Sequence, residues 1–578
     1  MNNRKVIRAL APLLFVALLL SGCGGADAPD NRGGREPSSV ATNAGGDPKA
    51  GGTVTYGFPS PFKGLFEPAF YEGEDDFHVL EFITEPLFTV KDDLTTAPGI
   101  ATWEESPDHK TFTFKIKRGI HWQNGTELTV EDWKFALEVI ANPDYTGPRY
   151  YSVEMIQGAE DYHNGKAKEI SGIQVIDPYT MKITVTAARV NTIDNLWAYP
   201  MNKSYFAGVA VKDMPSSDQV RKAPIGIGPF KVKHIQPGEF VELTRFDDYY
   251  KGKPLLDRVL YKVFNDKLIA SLFEQGRIDI EQAPRDAYES LKKLDNITLM
   301  QTPDLSFEYI GFKFGHWDGK TGQIVMDNPK FSDKRLRQAM YYALDRQGII
   351  DAFSYGLGKL SETPISSKSW AKIPEDQINR YPYDPEKAKR LLDEAGYKDT
   401  DGDDLREDPK GAKFVIHFDG MVGGTNDEPR TEAILQNWRD VGLDVKLNGG
   451  ALKEMNTFYT AVEEDDPSVE LFNGVWGLSN DPDPTGLWRK NDLWNYPRWS
   501  SAENERLIRD GISLKAYDRK YRTQVYYDWQ KLINEEVPMI FVAERETITA
   551  VNKRLQGVKV STLSNIIEPY KWWVKDGK

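Results

Sequence analysis

Seven histidines, at positions 78, 109, 121, 163, 234, 316 and 417, are where a metal ligand or a general base would first be sought, and their spacing offers neither. No two of them form the His-Glu-x-x-His pattern that sets a pair of imidazoles on one helix face, so a zinc protease has no ligands in view. A Gly-x-Ser-x-Gly nucleophile elbow is absent. Ser60-x-x-Lys63 followed by Lys320-Thr-Gly322 has the outline of a penicillin-recognising enzyme, but Ser-x-x-Lys recurs at Ser290 and Ser369 and no Ser-Asp-Asn lies between the two motifs. Gly315-His-Trp-Asp-Gly-Lys-Thr321 has three residues between its glycines where a phosphate loop has four, and no helix pattern follows it. One loop suits a hard cation: Asp399, Asp401 and Asp403 occupy the first, third and fifth positions of a calcium loop, with the Leu405 carbonyl at the seventh. Asp404 stands where the turn glycine belongs and Lys410 where the closing glutamate belongs, so the loop reads either as a structural calcium site or as a solvated hairpin. No other cofactor is required, and nothing pairs a nucleophile with a base.

The chain start carries a different chemistry. Arg4, Lys5 and Arg8 precede an apolar run, 9–20, that ends at Leu20-Ser21-Gly22-Cys23, and Cys23 is the only cysteine. A run this short exports a chain but is below the roughly 20 residues that span a bilayer. Leu-Ser-Gly-Cys resembles a bacterial lipobox, which implies that residues 1–22 are removed and that Cys23 carries lipid. Two or three acyl chains, at about 0.8 kcal/mol per buried methylene, hold a large body at a membrane surface. Residues 24–52 are Gly, Ala, Asp, Asn, Pro and Ser with almost no large apolar side chain, the composition of a flexible leash. Loss of residues 1–22 moves the formal net charge from −14 to −17, which argues against nucleic acid or an anionic membrane surface as a partner. With Cys23 committed, neither a disulfide within the chain nor a cysteine-ligated zinc can form.

The elements that would position a site read clearly in places. Structure is expected from Gly52-Thr-Val-Thr-Tyr56, followed by a loop over 62–74 whose acids, Glu72 among them, either face a ligand or face water. Phe112, Phe114 and Ile116 alternate with polar residues, the period of a half-buried strand. Thr129 with Asp132 makes a capping box for a helix whose Trp133, Leu137 and Ile140 share a face. Further helices are expected after Asp266, after Ser332 and after Asp384, the last with Pro385 at its first position and Gly396 at its end. Ile434, Trp438 and Val441 mark another, leading to a strand over 443–447. Helices alternating with strands indicate α/β lobes.

The run Trp103, Ser106-Pro-Asp108, Thr111-Phe-Thr-Phe-Lys-Ile-Lys-Arg-Gly-Ile-His-Trp-Gln-Asn-Gly-Thr-Glu-Leu-Thr-Val-Glu-Asp-Trp-Lys-Phe-Ala-Leu137 resembles the signature of the family 5 extracellular solute-binding proteins, the oligopeptide, dipeptide and nickel receptors of ABC importers. The likeness continues at Pro224-Ile-Gly-Ile-Gly-Pro-Phe-Lys-Val232, at Phe331-Ser-Asp-Lys-Arg-Leu-Arg-Gln-Ala-Met-Tyr-Tyr-Ala-Leu-Asp-Arg346 and at Tyr383-Asp-Pro-Glu-Lys-Ala-Lys-Arg-Leu-Leu-Asp-Glu-Ala-Gly-Tyr397. It implies a two-lobed periplasmic-binding-protein-like fold, type II with an extra subdomain, whose mixed sheets are joined by two hinge crossings. The implied segments are a signal peptide (1–22), a lipid-anchored linker (23–52), lobe I (53–95, 206–312 and 541–578), an additional subdomain (96–205) and lobe II (313–540). The crossings are expected near Phe312 and Phe541.

The resemblance further implies a monomeric extracytoplasmic lipoprotein that closes on a peptide, delivers it to permease subunits and catalyses no reaction. The segment 471–488 runs from an apolar strand into a loop rich in Pro and Asp, and in the family this strand pairs with the backbone of an extended peptide while a nearby acid meets its α-amino group. Val475, Trp476 and Gly477 are then the ligand-facing edge, and Asp481 or Asp483 the amine anchor, unless both aspartates only cap the turns before Pro482 and Pro484. Relatives that carry an Asp three residues after the Trp differ from this chain, which has Ser479 there. Tyr150, Gln282 and Tyr309 fall by resemblance near the opposing walls. The competing readings are the same receptor for an oligosaccharide or a chelated metal, and a surface hydrolase.

Overall fold

The computed structural model describes residues 39–41, 46–422, 424, 426–575 and 577. Residues 1–22, Cys23 and most of the leash lie outside these. The described residues belong to one unit, Ser38–Lys578. Part of the leash is ordered: strand β1 (Ser39–Ala41) pairs antiparallel with 559–561, and Gly51 N–H donates to Leu255 O at 2.8 Å. Backbone pairing to an existing edge needs no large side chains, which is why composition alone places the start of order too late.

Strand β2 (Thr53–Phe58) begins where the sequence turns apolar, with Val54 and Tyr56 fully buried. Helix α1 (Glu74–Ile83) follows; Glu74, Asp75 and Asp76 sit at the positive end of its dipole. The chain then leaves the main sheet. Strands β3 (Ala101–Glu105) and β4 (Thr111–Ile116), helix α2 (Val130–Ile140) and strands β5 (Ile173–Asp177) and β6 (Thr180–Thr184) build a subdomain around a separate antiparallel sheet of order β3-β4-β6-β5. Phe112, Phe114 and Ile116 all point into its core, as their alternation requires. The capping box forms: Thr129 N–H donates to Asp132 at 3.0 Å, and Trp133, Leu137 and Ile140 are fully buried. At about 1.5–3 kcal/mol for each large apolar side chain, that face fixes the helix to its sheet.

The chain returns through β7 (Phe230–Gln236), β8 (Phe240–Arg245), β9 (Arg258–Val263) and β10 (Ile280–Ala283). After β9 the capping residue is Asn265, whose side chain accepts from Lys267 N–H, so Asp266 is free of that duty. Strand β11 (Ile297–Phe312) leads to the second lobe, built from α3 (Lys334–Tyr342), β12 (Gly358–Leu360), α4 (Pro385–Ala395), β13 (Val415–Asp419), α5 (Asp427–Arg439), β14 (Asp444–Leu447), β15 (Leu471–Gly477) and α6 (Arg519–Glu536). Asp333 rather than Ser332 caps α3, its carboxylate accepting from Arg335 N–H at 2.9 Å. Helix α4 has the expected ends, with Asp384 accepting from Lys387 N–H and Gly396 left-handed at φ 92°. Strand β16 (Met539–Asn552) returns to the first lobe, and β17 (Lys559–Ser561) is the partner of β1.

One sheet runs through both lobes in the order β14-β13-β15-β11-β16-β10-β2-β9-β8-β7, with β12 added on β16. The two long strands in its middle make the crossings. Residues 297–303 of β11 pair with 546–552 of β16, residues 307–311 pair with 539–544, and the register breaks between Pro303 and Phe307. Pro303 has no N–H to continue a ladder. The crossings therefore lie at 303–307 and 544–546, not near Phe312 and Phe541. Those two side chains are already in the core of the second lobe, together with Leu336, Trp438 and Trp529. An apolar run signals burial without saying which lobe buries it, hence the displaced expectation.

Candidate functional site

Strand β15 is bonded along its whole length to β11, with Ser306 opposite Gly477, Phe307 opposite Trp476 and Glu308 opposite Val475. On its other side β13 reaches only Leu471 and Phe472. From residue 473 to 477 the strand is thus paired on one edge alone among the described residues, which leaves alternate N–H and C=O groups for an added strand. Trp476 is half-buried and stacks on Tyr496, ring centroids 5.2 Å apart. Tyr309 lies behind it, buried, and packs edge-on against Phe472 at 6.0 Å. A Cβ at position 474 would meet the Tyr309 phenol at 2.7 Å, so glycine is required for that ring to lie under the strand.

Two cavities meet at the loop after β15. The first, 280 Å³, is bounded by Trp476, Gly477 and Leu478 and by Trp488, Trp494 and Trp529. The second, 710 Å³, reaches into the subdomain and is bounded by Tyr150, Glu154, Glu160, Arg189 and Asn191. Ser479, Asp481, Asp483 and Thr485 line both, so the aspartate loop is the wall between an apolar and a polar chamber.

The two aspartates differ in what they already hold. Asp481 is buried against the guanidinium of Arg522 at 2.8 Å and also accepts from Asp483 N–H at 3.0 Å. Among the described residues Asp483 accepts only from neutral donors: Asn191 Nδ2 at 3.0 Å, Thr485 N–H at 3.1 Å and Thr485 Oγ1 at 2.8 Å. Burial first, and the Asp481 charge second, push the Asp483 carboxyl above the usual range. The same two causes, in the same order, push Asp194 up to about 6. Asp194 and Thr96 of the first lobe accept from Asn480 Nδ2 of the second, at 3.2 and 2.9 Å, and the His109 and Tyr517 rings stack 3.6 Å apart. On this side the lobes are in contact.

Val475, Trp476, Gly477, Asp481 and Asp483 thus lie on one continuous strand and loop, with Tyr309 beneath it. Tyr150 lines the polar chamber and stacks on His163, centroids 4.0 Å apart. Gln282 lines a third cavity, in the first lobe, and accepts from Asn565 Nδ2 at 3.1 Å. Glu72 is apart from all of them, exposed and paired with Lys63 at 2.7 Å; the acid that turns inward from that region is Asp76, which accepts from Gly64 N–H at 2.7 Å and Leu65 N–H at 3.2 Å. Arg522, Asn191 and Asp194 escaped the sequence reading. Arg522 left a trace: with Tyr526, Trp529 and Ile533 it forms the buried stripe of α6, and a guanidinium on an apolar stripe needs a buried anion.

In the acidic loop, the carboxylates of Asp399, Asp401 and Asp403 lie within 4.8 Å of one another. Lys413 Nζ reaches Asp401 at 2.7 Å, Asp403 at 2.6 Å and Glu407 at 3.0 Å, while Asp399 accepts from Gly402 and Asp404 N–H. The ammonium stands where a cation would collect these carboxylates, and Leu405 N–H donates to Asp403 at 3.0 Å.

Among the described residues no helix is long and apolar enough to cross a membrane. The chain is 28% identical over 585 residues to the oligopeptide-binding protein AppA of Bacillus subtilis (strain 168), spanning 99% of this chain and all of that one. Among solved structures it is similar to AppA from Bacillus subtilis in complex with a nonapeptide, with 25% identity, a TM-score of 0.67 and coverage of 91% of this chain and 100% of that one. The lactococcal OppA structure, complexed with an endogenous peptide in the closed conformation, shares the fold at a TM-score of 0.72 and 24% identity over 90% of this chain and 99% of the other. Residues 95–496 match the family model of bacterial extracellular solute-binding proteins, family 5 Middle, and the chain belongs to that family.

Proposed function

We propose that this chain is the extracytoplasmic receptor of an ABC importer, which captures a peptide between its lobes, hands it to the membrane permease and catalyses no reaction. The observation that carries this reading is the half-paired edge of β15 at 473–477, set between the tryptophan-lined chamber and Asp483. A peptide added to that edge makes main-chain hydrogen bonds whatever its sequence, and the chamber takes an apolar side chain. Asp483 rather than Asp481 receives the peptide ammonium, because Arg522 already neutralises Asp481. The oligopeptide-binding relative from Bacillus subtilis supports the same class of ligand. We assign the tether to lipid on Cys23, on the strength of Leu20-Ser21-Gly22-Cys23.

Native mass spectrometry of protein purified without denaturation tests the ligand class. Bound peptides of mixed sequence are expected. A bound sugar or metal chelate, or turnover of an offered peptide, refutes the proposal.

A further inference from the structure

A cavity of 350 Å³ opens in the first lobe at the carboxyl ends of the parallel strands β2, β9 and β10, bounded by Phe58, Asp266 and Ala283. Such strand ends are where α/β sheets hold ligands. Its charges are sorted by position. Over the β10 and β16 side stand Arg285 and Arg545; over the β2 and β9 side stand Asp75, from the first turn of α1, and Asp266. Sheet order is β16-β10-β2-β9, so at the usual strand spacing the two walls are between about 5 and 14 Å apart.

Neither wall is fully satisfied among the described residues. Among the described residues, Arg285 Nη2, Arg545 Nε and, from the second lobe, Arg430 Nε are buried without a hydrogen-bond partner, and so is Asp266 Oδ1. The guanidiniums converge on Glu308, with Arg430 at 2.6 Å, Arg285 at 3.3 Å and Arg545 at 3.7 Å. The single carboxylate of Glu308 thus collects three guanidiniums, and Glu546 lines the cavity as well. On the opposite wall His78 is held by Glu81 at 2.9 Å, and Glu74 is exposed at the mouth. Buried charges persist only when paired, so the cavity calls for an anion at one end and a cation at the other.

We infer that this cavity is a recognition pocket for a residue with a carboxylate and a distant cationic group, and that it receives the C-terminal lysine or arginine of a bound peptide. The carboxylate bridges Arg285 and Arg545, and the side-chain cation meets Asp266 and Asp75. Alternating charge across several strand spacings matches the reach of a lysine or arginine side chain, whereas the two charges of a short zwitterion lie too close together to meet both walls. Glu308, which gathers the guanidiniums, stands on β11 directly opposite Val475, one strand in from the free edge of β15. This inference rests on the peptide reading and names the specificity of the same cleft.

Calorimetry with three peptides that differ only at the last residue tests it: one ending in lysine, one in norleucine and one in lysine amide. Each change is expected to weaken binding by roughly tenfold or more, the usual weight of a charge-assisted contact. Arg285→Gln should abolish the penalty for the amide and leave the norleucine penalty, and Asp266→Asn should do the reverse. Binding of all three peptides within twofold of one another overturns the pocket and leaves the peptide reading standing. Penalties that persist unchanged in both variants also overturn it. Failure of every peptide to bind removes the peptide reading itself, and this inference with it.

Discussion

Asp483→Asn isolates the amine anchor from the rest of the cleft. The carboxylate is half-buried, and its three donors among the described residues are neutral, so a ligand ammonium would be its only charged partner in contact. In a cleft poor in water such a charge-assisted contact is worth about 1.5–3 kcal/mol, or roughly 10- to 150-fold in Kd. The amide keeps the shape and the two Thr485 contacts at one oxygen but turns a donor towards Asn191 Nδ2. The loss of that bond to the carboxylate costs about 1.5–3 kcal/mol of stability, which thermal unfolding reads separately from binding. Calorimetry with a free and an N-acetylated peptide, on wild type and variant, gives the anchor energy as a double difference. Acetylation should weaken wild type by more than tenfold and the variant hardly at all. Because burial and Asp481 hold the Asp483 carboxyl above the usual range, the preference for a free amine should fade as pH falls, at a pH above that of an ordinary aspartate. Asp481→Asn should behave differently, unfolding more easily by about 3–5 kcal/mol because Arg522 loses its buried partner, with the amine preference kept. A wild type indifferent to acetylation, or an Asp483→Asn protein that still discriminates as wild type does, refutes the assignment.

Four further outcomes follow from other parts of the chain. Gly226→Ala should lower the melting temperature, since its Cβ would lie 1.8 Å from the Ile83 carbonyl oxygen and overpacking against backbone costs about 1–3 kcal/mol; an unchanged transition contradicts the packing. Burial, and then Asp266, push Glu281 up to about 8, and burial pushes Glu67 up to about 8. A raised carboxyl pKa means that the folded state holds a proton the unfolded chain has released, so stability should fall as pH rises from the ordinary glutamate range to about 8. Denaturant titrations of Glu281→Gln and Glu67→Gln should show a shallower fall over that window. Calcium has to displace Lys413 from its three carboxylates, so millimolar calcium should raise the melting temperature of Lys413→Met more than that of wild type; equal shifts mean that the ammonium does not compete. Cys23→Ala should release the protein into the medium or leave it unprocessed, with peptide affinity unchanged, and a processed variant that stays on the membrane rules out the lipid tether.

What was legible in the sequence was local. The alternation of Phe112, Phe114 and Ile116, the Thr129–Asp132 box and the Asp384, Pro385 and Gly396 ends of a helix are each complete within about a dozen residues, and each is where it was expected. Strand β15 and its aspartate loop were legible for the same reason. Non-local requirements were not. Gly226 and Gly228 belong to a stretch that carries only a family likeness, whereas both are glycine because the Ile83 carbonyl passes against them from another segment. Asp194 has no sequence signal at all; its role follows from Asn480, which is 286 residues away. The acids of 62–74 illustrate the limit from the other side, since composition cannot tell that Asp76 turns inward and Glu72 outward.

The crossing strands explain why the cleft should close on one class of ligand. The free edge of β15 and the tryptophan chamber belong to the second lobe, while the charged cavity at the ends of β2, β9 and β10 belongs to the first. A ligand held by one lobe alone binds open and closed forms equally and shifts no population, however tight it is; moving a 1:99 equilibrium to 99:1 takes a differential of about 10⁴. Glu308 stands on β11 just beyond the register break and is shared by Arg285 from one lobe and Arg430 from the other. Burial alone would raise its carboxyl, yet Arg430, Arg285 and Arg545 outweigh burial and hold it below the usual range. Three guanidiniums, drawn from both lobes, thus meet on a carboxylate that cannot neutralise them all. A ligand that lies along the β15 edge and places an anion beside Arg285 and Arg545 contributes contacts to both lobes and relieves that excess in the closed form only, which is the differential that closure requires.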